Sequence, residues 1–198
     1  MTTTRTLLVL LVALALGACE APSPDAPPVA GPSSVAPAPA ATVEAAPSVQ
    51  GAPQVKARYD GYGDVRFGMD EAAFRAAWQG ELQGRGDQVC FYLWPKRVKV
   101  PADFAFMFEY GRFVRYDVGT TTRVAPGGGK VGMRAERIRA LYPGATGQPH
   151  KYVPGGQYLR VEHADGKGVL VFDIGADGRV GSWRAGVPPQ VDYVEGCS

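Results

Sequence analysis

Phe67-Gly68-Met69-Asp70-Glu71-Ala72-Ala73-Phe74-Arg75-Ala76-Ala77-Trp78-Gln79-Gly80 is the stretch from which the fold is read. Ala72, Ala73, Phe74, Ala77 and Trp78 recur at helical spacing. Asp70 and Glu71 suit the positive end of a first turn, and Gly80 supplies a stop. The pattern returns at Val131-Gly132-Met133, where Ala135, Ile138, Leu141 and Tyr142 form the apolar stripe and Pro143-Gly144 the stop. Phe74 matches Ile138, Arg75 matches Arg139, Trp78 matches Tyr142 and Gly80 matches Gly144, in register. Self-similarity of this kind points to a repeated supersecondary unit.

Downstream blocks also correspond. Tyr92-Leu93 answers Tyr158-Leu159, Phe106 to Glu109 answers Leu170 to Asp173, and Gly111-Arg112-Phe113 answers Gly178-Arg179-Val180. Bulky and polar side chains alternate in them, and turn signals such as Ala164-Asp165-Gly166 and Ala176-Asp177-Gly178 join them, so they read as strands in hairpins. The expectation is an α+β domain over 58–198, made of two tandem repeats, each a helix followed by an antiparallel meander of about three strands. Repeat one covers about 58–123 and repeat two about 128–198.

The Gly-Met opening, the helix, the following strands and their repetition resemble the tandem-repeat fold of the β-lactamase inhibitor proteins. Single-repeat relatives of that fold include small outer-membrane assembly lipoproteins of the BamE or SmpA type. The resemblance covers most of Arg58 to Ser198 and implies a non-catalytic role in binding other proteins through an exposed concave sheet or its loops. No inhibitory motif of that group can be placed here residue by residue, so the resemblance implies no target.

Ahead of the domain, Arg5 precedes about ten apolar residues ending in Leu16-Gly17-Ala18-Cys19, a run too short to span a bilayer. It resembles a bacterial lipoprotein signal, with 1–18 as the signal peptide and Cys19 as the lipidated first residue. Palmitate-type acyl chains there imply attachment to the membrane. Glu20 resembles the outer-membrane sorting pattern, which implies an outer-membrane protein facing the periplasm. Residues 19–57 are dominated by Ala and Pro and carry few bulky side chains. They read as a disordered tether of the polyproline kind, reaching at most roughly 100 Å at about 3 Å per residue.

Basic and acidic residues nearly cancel at a net charge of +2, and no run of Lys or Arg exceeds Lys96-Arg97, which argues against nucleic acid as a partner. With Cys19 assigned to lipid, Cys90 and Cys197 form an even pair in an oxidising compartment, and a disulfide between them is expected. Closing a loop of about 107 residues is worth somewhat over ~4 kcal/mol as an upper figure in the chain-entropy model.

Catalytic constellations are missing. His150 and His163 sit in no recognisable arrangement and read as surface or packing residues. The chain has no Gly-x-Ser-x-Gly and no His-Glu-x-x-His. Gly127-Gly128-Gly129-Lys130 lacks the spacing and the Ser or Thr of a phosphate loop and reads as a flexible connection between the repeats. Asp173 and Asp177 with Gly178 read as a turn, not a calcium loop. No metal or cofactor is expected.

What remains is a surface. If Phe106, Phe108 and Tyr110, with Leu170, Phe172 and Ile174, face the helices, strand alternation turns Met107, Glu109 and Asp173 to the other side. The same rule places Phe113, Arg115 and Asp117 there with Ser182 and Arg184, and Tyr92 and Trp94 there with Tyr158, Arg160 and Glu162. Aromatic and arginine side chains mixed on one face make a recognition surface for an envelope protein partner. An inhibitor or immunity role against an envelope or cell-wall hydrolase is one version. The alternatives are lectin-like binding of carbohydrate or peptidoglycan by Trp94, Tyr92 and Tyr158, and structural support of outer-membrane assembly.

Overall fold

A computed structural model describes residues 56–86 and 88–197. The expected signal peptide, Cys19 and nearly all of the expected tether lie outside them. The chain is mainly β. A small antiparallel sheet is formed by β1 (Ala57–Arg58), β2 (Gly61–Tyr62) and β3 (Val65–Arg66), so ordered structure begins one residue inside the expected tether. Helix α1 (Glu71–Ala77) leads to β4 (Leu82–Gln83), β5 (Cys90–Pro95), β6 (Phe104–Glu109) and β7 (Arg112–Val118). Helix α2 (Ala135–Leu141) leads to β8 (Thr146–Pro149), β9 (Gln157–Glu162), β10 (Val169–Ile174) and β11 (Val180–Gly186). A short 3-10 turn, Gln190–Asp192, follows.

These eight later strands form one antiparallel sheet in the order β4-β5-β6-β7-β11-β10-β9-β8. The expectation of an α+β domain built from two helix-plus-meander repeats is therefore corrected. Each helix is only 7 residues long. The strands merge through β7 and β11 into one continuous sheet, and the three-stranded sheet at 57–66 lies outside any repeat. Alternation and turn chemistry mark strand positions but do not reveal which edges will join.

Local chemistry explains the elements. Asp70 caps α1, its Oδ1 accepting from the Ala73 N–H at 2.8 Å. Gly68 and Gly132 both take left-handed conformations (φ +86° and +87°), which lets the chain turn into each helix. Their N–H groups donate to the Phe113 and Val180 carbonyls, fastening each helix entry to the sheet.

One sheet face and the helices enclose the core. Phe74 of α1 sits edge-on to Phe106, Phe108 and Phe113, with ring centroids 5.0, 5.0 and 4.9 Å away, an arrangement favoured by ring quadrupoles. Ile138 of α2, Leu159, Leu170, Phe172 and Trp183 continue this core and are buried. Gly127 to Lys130 is not the expected flexible connection. The Tyr142 hydroxyl accepts from the Gly129 N–H at 2.9 Å and donates to the Pro126 carbonyl at 2.6 Å. A side chain at Gly129 would meet the Phe172 ring at 2.5 Å, so close packing demands glycine there.

Candidate functional site

Register places the expected surface residues in cross-strand rows. Tyr92 pairs with Met107 and Met107 with Arg115. Asp117 pairs with Arg184, Arg184 with Val171, and Val171 with Arg160, while Tyr158 lies opposite Asp173. These residues share the face away from the core. Phe113 does not. The β6–β7 ladder shifts between Met107 and Phe108, and the extra residue turns Phe113 inward, where it is fully buried against Phe74. Its assignment to the recognition surface is corrected.

The outer face is not open. After β11 the chain folds back, and residues 187–197 lie across the sheet as a strap. Val191 is fully buried there against Tyr158, Val169 and Val171. Arg115, 4 % exposed, donates from Nη1 to the carbonyls of Gln190 (3.0 Å) and Tyr193 (2.6 Å), and from Nη2 to the Tyr92 hydroxyl (3.2 Å). Its Nε bonds both carboxylate oxygens of Asp117. Burial works against the Arg115 charge, but Asp117, together with Tyr92 and Asp192, more than compensates and holds its pKa above the ordinary arginine value. Arg184 donates from Nε to the Val191 carbonyl at 2.6 Å, and the Gln190 amide donates to Glu109 at 2.5 Å. Arg160 pairs with Asp192 and Glu162, and Lys151 with Glu195. The expected disulfide joins Cys90 to Cys197, with Cα atoms 5.3 Å apart, and locks the strap to β5.

The predicted residues are thus brought together, but the protein's own C-terminal segment occupies them. Met107 is fully buried, and Arg115 and Arg184 are committed to strap carbonyls. Tyr158 is 7 % exposed, with His150 stacked on its ring at 4.5 Å. Trp94 is half-buried and covers Gly84, where a Cβ would meet its ring at 2.9 Å. Of the aromatics considered for sugar stacking, Tyr158 is thus largely buried, while Tyr92 and Trp94 are half-buried. Glu162 stays exposed. The expected disulfide ties the C-terminal residues to the domain, but the strap's course over the sheet was missed, because Arg115 and Arg184 hold it through main-chain carbonyls, which leave no residue pattern.

Both histidines have side-chain partners. The Nδ1 of His150 accepts from the Tyr152 and Val153 N–H groups at 3.0 and 3.1 Å, and its Nε2 lies 3.1 Å from Asp173. Both ring nitrogens are engaged, which suits a structural role. His163 contacts Asp165 and packs against Tyr59 with ring centroids 4.4 Å apart. Asp177 accepts from the Arg179 N–H at 3.0 Å, forming a turn. No cluster of three or more potential metal-binding side chains occurs among the described residues.

A second surface lies at the β6–β7 hairpin tip. Tyr110, expected to face the helices, lies just past the end of β6 where strand alternation no longer holds; it is 79 % exposed and takes φ +48°, a left-handed conformation that bulky residues rarely adopt. Its N–H donates to the Val89 carbonyl at 2.8 Å, and Val89 is itself 60 % exposed. Together they form an outward apolar pair.

No protein family model matches the chain, and no curated protein matches it. Among solved structures, the chain is similar to an extracellular protein containing an SCP domain from Bacillus anthracis str. Ames, at 10 % identity and a TM-score of 0.38. The match covers 61 % of this chain and 44 % of that one, so the chain spans under half of that protein's length. Among the described residues, no helix is long and apolar enough to cross a membrane.

Proposed function

We propose that this chain is a non-catalytic envelope protein, anchored by lipid at Cys19 to the outer membrane and facing the periplasm, that binds a protein partner. An inhibitor or immunity role against an envelope or cell-wall hydrolase is the concrete version. The signal-like run ending at Cys19 and the Ala/Pro-rich stretch behind it support a tethered module.

The observation that carries the binding reading is Tyr110. Asn or Gly would satisfy a left-handed hairpin position at less cost, since a non-glycine residue held there costs of order 1–3 kcal/mol. The exposed ring, with Val89 beside it, presents the kind of rigid aromatic anchor that interface hot spots use. The strap-covered face is the weaker candidate, because its arginines already hold main-chain carbonyls.

A photo-crosslinking residue at position 110 in living cells tests this reading. It should trap a discrete envelope protein, while the same residue at exposed Lys167 should not. Tyr110→Gly should abolish capture of that protein without lowering the melting temperature. Capture that persists in Tyr110→Gly would remove the hairpin tip as the docking surface.

A further inference from the structure

Beside the strap lies a cavity of about 400 Å³, lined by Lys151, Tyr158, Arg160, Arg184 and Asp192 and walled by Val171. Its cations are not equal. Lys151 pairs with Glu195 at 2.6 Å, and Arg160 pairs with Asp192 and Glu162. Arg184, only 7 % exposed, forms no ion pair among the described residues. Of its five N–H donors, only Nε–H finds a protein acceptor, the Val191 carbonyl, and its guanidinium carbon sits 5.5 Å from the Tyr158 ring centroid.

Asp117 faces Arg184 across the ladder and Asp173 acts on it from β10, but neither forms an ion pair with it, and a largely buried arginine held only by such unpaired neighbours is a poor final state for a charge. Burial first, and the Arg115 charge next, press the Arg184 pKa below the ordinary arginine value, with Asp117 and Asp173 opposing in part. Its near neighbour Arg115 shows the alternative, with Asp117 bonded to its Nε. The Arg184 side chain instead borders a half-open cavity large enough for a small molecule.

We infer that this cavity is a binding site for a small organic carboxylate, its carboxylate held by the Arg184 fork and the Lys151 ammonium, its body against Tyr158 and Val171. A planar carboxylate matches two parallel guanidinium N–H groups, and it supplies the directly bonded negative charge that neither Asp117 nor Asp173 gives Arg184. A phosphate dianion would bring a second negative charge against Asp192, which already lines the cavity. The site is built by β8, β9, β10, β11 and the strap, so it stands or falls independently of the β6–β7 hairpin tip.

Calorimetric titration of the full chain with sodium benzoate, sodium butyrate and inorganic phosphate, each at the same ionic strength in chloride, tests the site. Benzoate or butyrate should bind at one per chain, and phosphate at least tenfold more weakly. Arg184→Lys, which keeps the charge but loses the planar fork, should weaken carboxylate binding at least tenfold. Because Arg184 also holds Val191, Lys151→Ala gives a second reading that leaves the strap's main-chain contacts in place, and it should weaken benzoate severalfold. Carboxylate affinity unchanged in both variants, or no binding above the chloride background, overturns the site. Phosphate binding tighter than either carboxylate overturns the ligand class.

Discussion

Arg115 reaches the Tyr193 carbonyl, 78 residues further along the chain, with a 2.6 Å hydrogen bond. The same Nη1 serves Gln190, while Nε holds Asp117. One side chain therefore ties the middle of the sheet to the strap. Arg115→Ala should leave the carboxylate of Asp117 and two covered carbonyls without this donor, and should cost about 3–5 kcal/mol in urea unfolding. A loss under about 1 kcal/mol would show that water replaces these bonds and that the strap is only loosely laid down.

Reducing and alkylating Cys90 and Cys197 should lower stability by about 2–5 kcal/mol, because the bridge closes a loop of 107 residues in the unfolded chain. Hydrogen exchange should then rise first over residues 187–197, since only the burial of Val191 and the polar contacts of Arg115, Arg184, Glu109, Arg160 and Lys151 remain to hold them. Uniform exchange across β10 and the strap would mean that the strap unfolds only with the whole sheet.

Phe113→Ala should cost about 3–5 kcal/mol, as expected for an emptied core position beneath Phe74. Exposed hairpin residues rarely cost more than about 0.5 kcal/mol. The two outcomes separate the bulged register from one in which Phe113 faces outward.

Alkaline titration has a defined sign. Burial raises the Tyr142 phenol to about 12, above an unfolded value near 10, so the folded state favours the neutral form. Its contribution is fully present below pH 10 and is lost as pH climbs through about 12, with a size of order 2 kcal/mol. Tyr142→Phe should remove that pH-dependent component while costing about 1–3 kcal/mol at neutral pH, because the Gly129 N–H loses its acceptor. A wild-type stability flat from pH 9.5 to 11.5 would contradict a protected phenol.

Much of the strand layout was legible. Alternation from Phe104 to Glu109 and from Val169 to Ile174, bounded by glycine turns, marks strands because a pleated segment must sort its side chains between two faces. The Asp70 cap and the stripe through Phe74 mark α1 for the same kind of reason. Cysteine parity and compartment gave the disulfide.

Other features carried no such signature. The strands at 57–66 are two residues each, too short to show a period. The bulge that turns Phe113 inward depends on pairing across β6 and β7, which no single strand encodes. The strap holds Pro188, Pro189 and Gly196 and is bound largely through its carbonyls, so its docking is invisible to side-chain patterns. Residues read as a free recognition face were correctly grouped, but their occupant was the chain itself.

The pairing of Cys90 with Cys197 leaves a third sulfur to be accounted for. A thiolate at Cys19 would be an internal nucleophile, able to attack the bridge and shuffle the chain into mixed disulfides or dimers. A thioether cannot undertake that exchange. Alkylating the Cys19 sulfur with a diacylglyceryl group would thus quench the rogue sulfur as well as moor the chain, and secretion of a Cys19→Ser form should give as homogeneous an oxidised product as the lipidated one.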